Sequence, residues 1–205
     1  MVMSYPDPLQ EVTRTPSDSL PVTKPENPFM EIGRFALIAL IIVIPIRWYV
    51  AQPFIVSGAS MEHTFQNSEY LIVDQVTYRF DEPARGDVII FKYPRDHTKY
   101  FIKRIIGLPG DTISIRDQSV TIVNREHPDG FTLEEPYANI GTKRDSLIQT
   151  LGPDEYFVMG DNRDHSSDSR IWGVLHHDEI VGRALLRLFP PNRASYMPGA
   201  AENNI

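Results

Sequence analysis

One stretch constrains this chain more than any other: Phe35-Ala-Leu-Ile-Ala-Leu-Ile-Ile-Val-Ile-Pro-Ile46, twelve residues without a charge. It follows residues 1–28, where six prolines (Pro6, Pro8, Pro16, Pro21, Pro25, Pro28) stand among Ser, Thr, Asp and Glu. Such a leader cannot bury enough apolar surface to offset its ordering entropy and reads as a disordered tail. Twelve residues are short for a membrane span, and a buried core helix is the competing reading. The flanks favour the membrane. Arg34 and Arg47 can snorkel from the two ends, Trp48 and Tyr49 form an interfacial aromatic pair, and 29–51 holds few other polar groups. A cleaved signal peptide is the third reading. Against it, the preceding tail is long and not basic, and Tyr49-Val-Ala51 lacks the small-x-small pattern of cleavage sites. We therefore expect a transmembrane helix over 29–51. Arg14, Lys24 and Arg34 precede it and only Arg47 follows before Arg79, which places the N-terminus in the cytoplasm and the bulk outside.

From Pro53 onward the pattern changes to short β-rich runs: 69–74, 87–92, 100–106, 112–116, 120–124, 155–159 and 180–187. Turn chemistry such as Leu108-Pro-Gly-Asp111 and Gly160-Asp-Asn162 separates them. Many short strands with few helical patterns predict an all-β barrel or sandwich over 52–193, followed by a flexible tail over 194–205. The segment 125–149 is polar, holds two prolines and reads as a loop. The net charge of −7 and the lack of any Lys/Arg run exclude a nucleic-acid surface. The absence of cysteine excludes disulfides, thiol nucleophiles and Cys-based zinc sites.

Three segments carry candidate chemistry. In Ser57-Gly-Ala-Ser-Met-Glu-His-Thr-Phe65, Gly58 and Ala59 strip bulk from the chain just before Ser60, the clearance a nucleophilic hydroxyl needs. An ordinary turn serine would look the same. In Tyr100-Phe-Ile-Lys-Arg-Ile-Ile-Gly-Leu-Pro-Gly-Asp111, strand alternation puts Phe101, Lys103 and Ile105 on one face. Burial there would favour a neutral amine, able to act as a general base; a lysine snorkelling from a sheet edge is the alternative. The third segment, 160–173, is a glycine-bounded polar loop. Its Asp161, Asp164 and Asp168 lack the residue order of a calcium loop. The adjacent His176 and His177 would point to opposite faces of a strand, which speaks against a metal site.

The three segments, in this order after one hydrophobic helix, resemble the motif boxes of the type I signal peptidases. The resemblance runs from about Phe35 to Pro190 and includes Arg85-Gly-Asp-Val-Ile-Ile-Phe91. It implies a mostly β signal-peptidase-like barrel or sandwich, anchored by one N-terminal transmembrane helix in the plasma membrane, with the catalytic domain extracytoplasmic. Its expected activity is removal of signal peptides from translocated preproteins at small-x-small sites, with no metal or other cofactor. It implies Ser60 as nucleophile, Lys103 as general base, and Ser166 as the hydroxyl that orients the lysine. The backbone N–H of Ser60 would be an oxyanion donor, with Asp168 and Arg170 bracing the loop. Val56, Met61, Phe65, Phe101 and Ile102 resemble the lining of substrate pockets, although each could equally be plain core. Two positions depart from the pattern. Gly58 stands where some relatives offer a second oxyanion hydroxyl, and His63 stands where proline is usual. His63 raises the alternative of a Ser–His mechanism. Two rival functions are a self-cleaving repressor-like protein, for whose DNA-binding domain the chain leaves no room, and a non-enzymatic membrane-anchored binding protein.

Overall fold

A computed structural model describes residues 28–142 and 146–200. The expected tail over 1–27 and the extreme C-terminus lie outside the described residues. The chain divides into two units, 1–41 and 42–205. Helix α1 (Pro28–Pro45) carries the uncharged run, and its Phe35, Leu37, Ile38, Leu40, Ile41, Ile42 and Val43 are all exposed. The proline that closes it has no N–H to give and a ring that crowds the preceding turn, and the backbone continues as one π-helical turn, Ile46–Val50. The α-helix and the π turn together run over 28–50, within one residue of the expected 29–51, and by Ala51 the chain is a strand. Among the described residues no helix is long and apolar enough to cross a membrane.

The second unit is mostly β. Its strands are β1 (Ala51–Ile55), β2 (Tyr70–Asp74), β3 (Val88–Tyr93), β4 (Asp96–Gly107), β5 (Thr112–Arg116), β6 (Ser119–Val123), β7 (Phe131–Thr132), β8 (Ser146–Thr150), β9 (Glu155–Met159), β10 (Leu175–His176), β11 (Ile180–Phe189) and β12 (Ser195–Tyr196). The larger sheet runs β1-β2-β11-β3-β4-β9-β10, with β12 paired to β11; the smaller runs β7-β6-β5-β8. The segment 125–149, expected as a loop, thus supplies both edges of the small sheet. The segment after residue 193, expected as a tail, adds β12 and a tight turn at Met197-Pro-Gly-Ala200, closed by the Ala200 N–H on the Met197 carbonyl. Proline followed by glycine at φ +77° is the chemistry of a type II turn.

The core falls into three apolar clusters. Val56, Met61, Phe65, Leu71, Val73, Val88, Ile90 and Ala184 form the one beneath β1, β2 and the loop after β1. Ile89, Phe91, Ile105, Tyr156, Val158, Trp172 and Leu175 form a second, and Ile106, Phe157 and Met159 join the two sheets in the third. At about 1.5–3 kcal/mol for each fully buried large side chain, these clusters hold the sheets rigid enough to position a site on their rim.

Candidate active site

Three pieces of chain converge: the loop after β1, the middle of β4, and the loop from Gly160 to the one-turn helix α2 (Ser169–Trp172). Gly58, at φ +100°, turns the chain sharply out of β1, and its N–H donates to Asn67 Oδ1 at 3.1 Å. Two residues later Ser60 presents its hydroxyl to Lys103, whose Nζ lies 2.8 Å from Ser60 Oγ. The same Nζ donates to the Ile102 carbonyl at 2.8 Å and stands 5.3 Å over the Phe101 ring. Lys103 is only 4% exposed. Burial pulls its ammonium down from 10.5 to about 8, although the carboxylates of Asp168 and Asp161 pull the other way. A neutral amine is therefore reachable near physiological pH, and it sits on the hydroxyl it would deprotonate.

The Gly160 loop holds both partners. Asn162 donates its N–H to the Ser60 carbonyl at 3.0 Å and its side-chain amide to the Ala59 carbonyl at 3.1 Å. A Cβ on Gly160 would sit inside contact distance of the Ser60 carbonyl and of Ser166, so glycine is required for this close approach. Ser166 is buried, and among the described residues its hydroxyl makes no hydrogen bond, the expected one to Lys103 included, although it lies near enough to Asp168 to help hold that carboxylate charged. Burial pushes Asp168 up. Arg170, Ser166 and the Gly160 N–H outweigh it and leave the carboxyl below its usual range. Arg170 grips Asp168 with Nε at 2.8 Å and Nη2 at 2.9 Å, and also donates to the Arg163 carbonyl. Asp168 caps α2 by accepting from the Arg170 N–H.

A cavity of about 270 Å³ opens beside the pair. Its walls are Phe54–Ser60 on one side and Tyr100–Lys103 on the other, with Leu71 and Ile90 below and His165 and Ser167 at the rim. Val56, Phe101 and Ile102 are on this wall. Met61 and Phe65 are not: at 1% and 0% exposure they lie in the core beneath, because the turn after Ser60 folds their side chains inward. His63 is exposed away from the cavity lining, and its carbonyl accepts from Arg193. No hydrogen bond joins it to Ser60 among the described residues, so the geometry favours lysine over histidine as the base.

Sequence reasoning gives Arg104 no role and, beyond setting aside a calcium loop, gives none to Asp161. Arg104 is fully buried, with Nε and Nη2 on the Asp161 carboxylate at 2.9 and 2.7 Å, and its guanidinium lies 3.8 Å over the Tyr137 ring. Asp161 also accepts from Thr64 Oγ1. The pair thereby ties the strand bearing Lys103 to the loops bearing Ser60 and Ser166. A polar residue next to Lys103 in a strand of buried neighbours was the available signal.

A mostly β domain with a serine hydroxyl against a desolvated lysine amine, at the head of an apolar groove, defines a serine hydrolase of the Ser–Lys type. The family model and the sequence relatives agree. The model of the family described as signal peptidase, peptidase S26, matches residues 29–189. The protein named "Probable signal peptidase I-2" of Synechocystis sp. is 34% identical, covering 87% of this chain and 81% of its own length. Signal peptidase I T of Bacillus subtilis is also 34% identical, covering 82% of this chain and 90% of its own. A crystal structure of a signal peptidase I from Enterococcus faecalis aligns at 30% identity with a TM-score of 0.43, over 50% of this chain and 97% of that one. The chain belongs to the signal peptidase family, peptidase S26, and is a serine endopeptidase.

Proposed function

We propose that this chain removes signal peptides from preproteins at a membrane surface, with Ser60 as nucleophile and Lys103 as base. The observation that carries the reading is the 2.8 Å contact between Ser60 Oγ and a buried, desolvated Lys103 Nζ. The Ser60 hydroxyl proton passes to Nζ as Oγ attacks the scissile carbonyl carbon, and the Ser60 N–H receives the developing oxyanion. The Lys103 ammonium then protonates the departing amine, leaving an acyl-enzyme ester. A water that gives its proton to Lys103 hydrolyses the ester, and the proton returns to Oγ. Asp168 with Arg170 fixes the loop that carries Ser166, whose buried hydroxyl makes no hydrogen bond among the described residues and would orient the amine by turning towards it.

An extended peptide fits the groove by strand addition. β4 pairs with β9 only from Arg104 onward, which leaves the backbone of Tyr100–Lys103 open on that side. Val56, Phe101 and Ile102 would line the pockets for alternate side chains, and Met61 and Phe65 would support them from below. A cavity of about 270 Å³ favours small residues there. The test is the mass of the products formed when the detergent-solubilised protein meets a preprotein bearing an Ala-x-Ala site. A single cut after the second alanine, absent with Ser60→Ala, is expected. Cleavage elsewhere would overturn the substrate assignment.

Membrane attachment is assigned to α1 and the turn after it. α1 alone does not meet the length and apolarity of a span, but with the turn Ile46–Val50 the helical stretch runs over 28–50 and exposes an apolar surface suited to lipid. Residues 1–28 would then be cytoplasmic and 52–193 the extracytoplasmic catalytic domain, the arrangement that the Lys/Arg bias around the helix favours. Alkaline-washed membranes should retain the full chain, and release into the wash would end this reading.

A further inference from the structure

Residues 190–200 surround the far end of the nucleophile loop. Arg187 and Arg193 both pair with Glu69, at 3.0 and 3.2 Å, and both donate to the Thr64 carbonyl. The side left open by these contacts is closed by the type II turn Met197–Ala200, tied to β11 by the Met197 N–H on the Leu185 carbonyl at 2.7 Å. Pro198 is buried in this turn. Gly199 packs so closely that a Cβ would meet Thr64 Cγ2 at 2.6 Å, Phe65 at 3.1 Å and Val88 at 3.2 Å. Its carbonyl accepts from Arg104 Nη1, whose other acceptor is the Gly86 carbonyl.

We propose that the C-terminal turn Met197–Ala200 is a positioning element of the catalytic site, pressing Gly199 against the Thr64 end of the Ser60 loop and holding Arg104 through its carbonyl. The proposal rests on the reading of Ser60 and Lys103 as the reacting pair. Two routes lead from Gly199 to that pair. Thr64 is bonded to Asp161, whose neighbour Asn162 holds the Ser60 and Ala59 carbonyls. Arg104 is the residue after Lys103 in β4, so a shift of its guanidinium is felt in the strand that aims the amine. Displacement of a reacting group by about an ångström can cost on the order of a hundredfold in rate, far more than the same shift costs in binding.

The test compares the full chain with Gly199→Ala, and with a chain ending at Tyr196 that keeps β12, each in detergent with a preprotein substrate and normalised to folded protein. The expected result for both is a fall in kcat of about tenfold to a hundredfold, with KM within about twofold. The acid limb of the pH–rate profile should move to higher pH as the loosened site exposes Lys103. Adding Thr64→Ser to Gly199→Ala removes the nearest of the three groups that the new Cβ meets, keeps the hydroxyl for Asp161, leaves Phe65, Val88 and the positive φ in place, and should restore part of the lost kcat. Wild-type kcat in either folded variant would overturn the proposal. So would a loss that appears only as fewer folded molecules, with turnover per folded molecule unchanged. Ser60→Ala is the separate control: if it remained active the reacting pair would be wrong, whatever the turn does.

Discussion

Lys103→Ala should lower kcat by about 10⁴-fold or more while the protein stays folded, and Ser60→Ala should do the same, because the two groups act as one unit. The wild-type profile of kcat/KM against pH supplies the companion result. With the Lys103 ammonium drawn down to about 8 by burial, activity should reach its plateau above that pH and fall roughly tenfold for each unit below it. A profile flat down to pH 6 would rule out a lysine base. Stability should rise with pH as activity does, but over a window that extends further into the alkaline range. Between about 8 and 10.5 the unfolded chain holds a proton on this lysine that the folded chain has lost, so stability rises with pH across that window. Below it the full cost of burying the cation is present, about 3 kcal/mol by linkage. Lys103→Met removes that cost. The inactive variant should therefore unfold at higher denaturant than wild type at pH 7, with the gap closing towards pH 10.5.

The groups that make this site differ in how plainly the sequence shows them. Lys103 is legible because alternation along β4 sets it between Phe101 and Ile105 on one face, and that face proves buried. Arg104 is hidden by the same logic. Alternation sends it to the other face, and partners far along the chain, Gly86, Tyr137, Asp161 and Gly199 among them, make that face an interior as well. Met61 and Phe65 show a second limit. An apolar residue near a nucleophile reads alike whether it lines the cavity or supports it, and the turn after Ser60 decides the matter through backbone contacts such as the Phe65 N–H on the Met61 carbonyl. β8 was missed because its five residues alternate only weakly in polarity and find their partner β5 more than thirty residues upstream. The turn at Pro198-Gly199 has legible chemistry, yet nothing local announces that it packs against Thr64.

The largest loss of stability should come from parting Arg104 and Asp161. Asp161→Asn removes the charge opposite a guanidinium that is fully buried, and a buried ion left without its partner typically costs about 3–5 kcal/mol. The loss is not confined to the pair. Asp161 also accepts from Thr64 Oγ1, and the next residue, Asn162, holds the Ser60 carbonyl, so the surviving folded protein should turn over more slowly too. Arg104→Met strands the carboxylate in the same way and should cost a similar amount. The double variant Arg104→Met/Asp161→Asn should be much less unstable than the sum of the two, because it leaves no uncompensated charge, and its interaction term should reach about 1–3 kcal/mol. Urea unfolding of the wild type, both single variants and the double variant measures that term directly. Additive losses, or a cost below about 1 kcal/mol for Asp161→Asn, would mean that the apolar packing around Phe65 and Val88 holds the loops by itself. A large coupling would show that this buried ion pair joins the strand of the base to the loop of the nucleophile.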